Sequence, residues 1–171
     1  ATASDAFVYL ALQEKLDLRT SMFPLLFVGT ALVYMALAVP MGRLADRVGR
    51  GRVFLAGYGL LLGVYVLVLA PVAGWLSLCL VLAMFGAYYA ATDGVLMALG
   101  SAIAPQEVRG SGLALLGTVT SLSRLVASVA FGAVWMVGGI DVAFMCFGVA
   151  LVLAIALAAT ALVRGRTAPQ P

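Results

Sequence analysis

Three charged side chains sit inside long apolar stretches of this sequence: Asp5, Asp93 and Arg124. An ionised group near the middle of a bilayer costs roughly 2.5 to 3.5 kcal/mol even on insertion scales, so such groups turn toward a bundle interior and pair. Counting a rise of about 1.5 Å per residue from the nearest polar link puts Asp93 about 16 Å deep and Arg124 about 21 Å deep, on consecutive antiparallel helices. They stand close enough in height to meet. Asp5 lies about 12 Å from the opposite surface by the same count and is a second candidate partner. Two chemistries fit this set. In one, Asp93 or Asp5 exchanges a proton or meets a solute while Arg124 supplies the counter-charge. In the other, the pair is a permanent structural bridge, and sequence does not separate the two. Around Arg124, Gly117, Ser121, Ser128, Gly132 and Trp135 recur every three or four residues or multiples of that, a small and polar stripe that lines a cavity or packs closely. Tyr34 with Thr30, and Tyr9 with Phe7, offer further groups for a cavity wall.

The elements that must position these residues follow from composition. The chain of 171 residues is 64% hydrophobic and 10% charged, with a mean hydropathy of +1.15. Soluble domains are charged at about a quarter of positions, so the solvent for most of this chain is lipid. Lipid forces the backbone to satisfy its own hydrogen bonds, and continuous apolar runs select helices over a barrel of short alternating strands. The runs predict helices over about 22–41, 53–70, 75–104, 111–137 and 140–163. A first run over 1–12 would rise only about 18 Å and is too short to cross. The expected architecture is an all-α membrane protein, a bundle of five complete transmembrane helices plus a partial first one, forming a single transmembrane domain over residues 1–171. A chain that opens inside a helix reads as a fragment of a longer polypeptide.

Arg43, Arg47, Arg50, Arg52, Arg109, Arg164 and Arg166 fall on one side of this arrangement, and Lys15 and Arg19 on the other. The arginine-rich side is expected to be cytoplasmic, with the carboxyl terminus on that side. Topology thus explains the net charge of +3, and nucleic-acid binding is excluded. There is no histidine. Cys79 and Cys146 lie in apolar runs and are expected as small buried hydrophobes, so no metal site, cofactor or disulfide framework is indicated. A membrane-embedded enzyme would need convergent nucleophile, base or metal ligands, which the sequence does not offer. The glycine-rich run Gly57 to Gly63 lies within a span, where helix packing explains it and a phosphate loop does not.

One connector carries a detailed signature: Gly42-Arg43-Leu44-Ala45-Asp46-Arg47-Val48-Gly49-Arg50-Gly51-Arg52. Gly42 permits close helix approach, Gly49 can take the positive φ of a tight reversal, and Asp46 can cap a helix amino terminus. Arg47, Arg50 and Arg52 can pair with acids or anionic lipid head groups. The spacing resembles the signature loop of major facilitator superfamily transporters, departing where Gly51 stands in place of a basic residue. The resemblance implies a secondary transporter that moves a small solute by alternating access, proton-coupled and in the efflux or the import direction, in a bacterial plasma (inner) membrane. It further implies that this loop latches the cytoplasmic side shut in one state, with Glu107 and Arg109 forming a matching second link. The partners implied are a small-molecule substrate, protons, the bilayer and a missing amino-terminal half of the same polypeptide. The fourth run lacks the proline that the fifth helix of related drug antiporters often carries, which favours the carboxyl-terminal six-helix half. The rival reading is a non-transporting receptor or assembly subunit of the same build.

Overall fold

The computed structural model of the chain describes residues 4–17, 19–70, 74–103 and 106–167. Residues 71–73 of the link expected between the runs 53–70 and 75–104, and the ends of the chain, lie outside them. Among the described residues the chain is helical throughout, without strands: α1 (Asp5–Leu16), α2 (Phe23–Val48), α3 (Arg50–Leu69), α4 (Trp75–Ile103) and α5 (Arg109–Thr167), with 3-10 turns at Thr20–Met22 and Gln106–Val108. Four of these helices are long and apolar enough to cross a membrane. The protein is an integral membrane protein.

Helix α5 is a hairpin of two limbs. Gly139 leaves helical geometry with φ 82° and ψ 175°, and the chain folds back there. The ring centroids of Phe131 and Phe147 lie 4.9 Å apart, whereas sixteen residues of straight helix would separate them by about 24 Å. A second one-residue reversal joins α2 to α3. Gly49, at φ 107°, ends the first helix and begins the second, its N–H donating to Ala45 O at 3.0 Å. The polar connector expected over Gly42–Arg52 is therefore helix except at Gly49. Charge marks where the helix leaves hydrocarbon, and a polar amphipathic turn continues the helix beyond that plane without penalty.

Helix α4 is the centre of the bundle, packed between α2 and α3. A Cβ added at Gly86 would stand 2.6 Å from Val33 Cβ and 2.9 Å from the Thr30 carbonyl oxygen, and one at Gly57 would stand 2.8 Å from Thr92 Cγ2. Small residues thus let α2 and α3 approach α4 closely, as expected where lipid offers no hydrophobic drive between helices. The core is aromatic: Tyr9, Tyr65, Phe85, Phe131 and Phe144 are fully buried. Lys15, at the end of α1, donates to the carbonyls of Leu67 and Val68 at 3.0 Å each, and to that of Ala70, so its ammonium caps the carboxyl end of α3.

Two expectations are corrected. Cys79 and Cys146 are exposed, because in a membrane chain the outward face of a helix is as apolar as the inward one. Gly42 lies inside α2 with open space around it, so it permits no close approach within this chain. The packing predicts that Gly86→Ala lowers the stability of the purified complete protein by roughly 1 to 3 kcal/mol through overpacking. Gly59→Ala, which meets nothing within 4 Å, should be neutral or mildly stabilising in the same detergent thermal-melting assay.

Candidate functional site

Helices α1, α4 and the first limb of α5 bring the three membrane charges together. Arg124 Nη2 lies 2.5 Å from Asp93 Oδ1. Asp5 accepts a hydrogen bond from the hydroxyl of Tyr89, one turn before Asp93 on α4. The same tyrosine presents its ring to Arg124, whose guanidinium carbon is 5.7 Å from the ring centroid. Tyr89 thus holds one acid by its hydroxyl and the cation by its π face, a contact worth about 0.5 to 2 kcal/mol. Its place follows from helix geometry, since residues four apart on α4 share a face. Asp93 and Arg124 keep side-chain exposures of 37% and 42%, so the pair is open to a cavity and not sealed in the core.

Two clefts meet at this network. One, of about 430 Å³, is lined by Asp5, Phe27, Tyr89, Ser121, Arg124 and Ser128. The other, of about 320 Å³, is lined by Asp5, Tyr9, Thr30, Tyr34, Tyr89 and Asp93. Asp5 and Tyr89 border both. Tyr9 is buried, and its hydroxyl donates to Thr30 Oγ1 at 2.7 Å. Phe7 packs on Phe131 and Trp135, with ring centroids 4.9 and 5.5 Å away, and serves the core. Of the stripe around Arg124, Ser121 and Ser128 face a cleft, while Gly132 lies against the Phe7 ring. In the sequence Tyr89 stands one helical turn before Asp93 on an apolar run, where an aromatic residue is ordinarily a packing group. Its link to Asp5 crosses 84 positions of sequence and leaves no local signal.

The signature residues gather at one end of the bundle. Asp46 Oδ1 accepts from Arg50 Nε at 3.2 Å and Nη2 at 3.1 Å, an i,i+4 pair bridging Gly49. Asp46 therefore does not cap α3 by a side-chain hydrogen bond; it reaches the arginine instead. Arg47 and Arg52 are exposed, with Arg52 Nη1 at 3.5 Å from Val48 O. Glu107 stands exposed in the 3-10 turn and Arg109 exposed at the start of α5, and among the described residues no salt bridge joins Glu107 to Arg47 or Arg52. The acid–arginine pair lines a small pocket with Gly42, Ala45, Ala90 and Gly94, and Ala45 and Val53 are buried with Ala91 and Val95 of α4. The motif thus rests on the stretch of α4 that carries Asp93.

Fold and site define a polytopic helical membrane protein with a charged network open to clefts in its bundle. The model of the Major Facilitator Superfamily matches residues 2–171, and the chain belongs to that family. A protein of Methanocaldococcus jannaschii described as an uncharacterized MFS-type transporter is 33% identical over 104 residues, which cover 61% of this chain and 26% of that protein. The chain thus spans about a quarter of the length of the curated relative it matches. No solved structure matches it significantly.

A double-mutant cycle on the complete protein checks the network. Arg124→Ala alone should destabilise more than Arg124→Ala with Asp93→Ala, because the single change leaves a carboxylate without its cation. Thermal melting should give a coupling energy of roughly 1 to 3 kcal/mol.

Proposed function

We propose that the chain forms the carboxyl-terminal half of a secondary transporter that moves a small solute by alternating access, coupled to protons. The observation that carries this reading is the network of Asp5, Tyr89, Arg124 and Asp93 around two open clefts. Two carboxylates against one guanidinium leave one negative charge at membrane depth, and a single proton neutralises it. The two acids are not equivalent acceptors. Protonating Asp93 would leave Arg124 without its counter-charge, whereas Asp5 has a neutral partner and keeps a hydrogen bond to Tyr89 in either form. Asp5 is therefore the proton-exchanging group in this reading, and the Asp93–Arg124 pair meets the solute or switches partner as the half moves.

The motif would act as the cytoplasmic gate. Asp46 and Arg50 sit against α4 within a turn of Asp93, so a shift of α4 that follows a change at Asp93 displaces the loop directly. Arg47, Arg52, Glu107 and Arg109 remain exposed there, placed to meet the other half or anionic lipid. The absence of proline in the first limb of α5 favours the carboxyl-terminal assignment.

The test needs no known substrate. In the complete protein with Cys79 and Cys146 replaced by alanine, Ser121→Cys should be labelled by an impermeant maleimide from both sides of a vesicle, while Arg47→Cys should be labelled from the cytoplasmic side alone. The ratio of labelling from the two sides at position 121 should change when a proton gradient is imposed across the vesicle membrane, and Asp5→Asn should fix it at one value. Labelling of position 121 from one side with or without the gradient would favour a receptor or assembly subunit.

A further inference from the structure

A third cavity, of about 330 Å³, lies behind the network, between α3, α4 and both limbs of α5. Its volume falls at the lower end of small-molecule sites, roughly 300 to 1,000 Å³. Its lining mixes the polar Tyr58, Asp93 and Arg124 with the apolar Phe54, Leu96 and Ile155. Asp93 and Arg124 also border the central clefts, so the ion pair is a partition between the front of the site and this chamber.

The hydrogen-bond inventory of the chamber states what it can hold. Thr92 Oγ1 donates to Tyr88 O at 2.8 Å, Thr120 Oγ1 to Leu116 O at 2.7 Å and Ser123 Oγ to Val119 O at 2.8 Å. These hydroxyls have spent their protons on helix carbonyls and offer only lone pairs. Arg124 uses one terminal nitrogen on Asp93, and a guanidinium has five N–H donors in a fixed fork. The donors left to the chamber are N–H groups of the Arg124 guanidinium and the Tyr58 hydroxyl, which suit a planar or tetrahedral oxyanion that competes with the Asp93 carboxylate for the cation. An apolar body on the same ligand would cover the Phe54, Leu96 and Ile155 side chains.

We infer that this chamber is a second binding site, separate from the central clefts, for a small organic anion with an apolar body, held by the free edge of the Arg124 guanidinium. Occupancy would share Arg124 between Asp93 and the anion and so bias the network from behind, most readily when a proton has neutralised the acid left over. The site is an equilibrium property of the fold and stands whether or not the protein transports.

Hexane-1-sulfonate is a suitable probe, since it stays charged and is too short to form micelles at low millimolar concentration, with hexyltrimethylammonium as the cationic control. Calorimetric titration of the complete protein should give saturable binding of the sulfonate and none of the control. Ala154→Phe, which fills the chamber from the second limb of α5, should weaken binding about tenfold or more, as should Arg124→Gln, the loss expected when a hydrogen bond to a charged group goes. Ser128→Phe, in the central cleft, should leave affinity within about twofold, a shift under 0.5 kcal/mol. Absent saturable binding, or affinity retained in Ala154→Phe, overturns the inference. Loss in Ser128→Phe with Ala154→Phe intact also overturns it, by placing the anion in the central cleft. Two-sided labelling at position 121 without sulfonate binding would sink this site alone; binding with one-sided labelling would sink the transport reading alone.

Discussion

The structure turns on the cost of holding ionised groups away from water. Asp5, Asp93 and Arg124 come from three different helices, and none can remain charged in hydrocarbon without a partner or a path to solvent. The fold meets this demand on one helix. Helix α4 carries Asp93 and, four residues earlier, the tyrosine that reaches both Asp5 and Arg124. Because α4 lies between α2 and α3, whatever alters those charges acts on the helix to which most of the bundle is packed.

Packing supports that arrangement with small residues and aromatic rings. Gly57 and Gly86 sit at the close contacts with α4, where dispersion replaces the hydrophobic drive that water would supply. Tyr9, Phe85, Tyr88 and Tyr89 form a run of neighbouring rings. The neutral core therefore continues into the charged network without a break, and Tyr89 belongs to both.

Much of the architecture was legible in the apolar runs, because bilayer thickness fixes the length of a helix that crosses it. The membrane charges stood out for the same reason: Asp93 and Arg124 interrupt sequence that tolerates no charge without cause. The signature connector identified the family because its residue types are tied to fixed positions. Other features carried no such trace. The bond from Tyr89 to Asp5 depends on where two remote helices meet. Nothing in an apolar run reveals which face meets protein and which meets lipid, so the exposure of Cys79 and Cys146 was misjudged. The polar stretch Gly42–Arg52 suggested a loop since charges end a hydrophobic run, yet a helix can outlast its apolar part. Lys15 counts by its charge toward sidedness, and nothing in the sequence shows that it also caps α3.

The reversal at Gly49 sets how movement can pass through this half. A flexible loop between α2 and α3 would absorb displacement by uncoiling, as a slack rope does. Here the contour between the two helices is a single residue at φ 107°, bridged by the Asp46–Arg50 pair. There is no slack to take up. The two helices behave as arms of one bent lever whose elbow lies at the motif, so a tilt of either arm arrives at the other as torque instead of being lost in the joint.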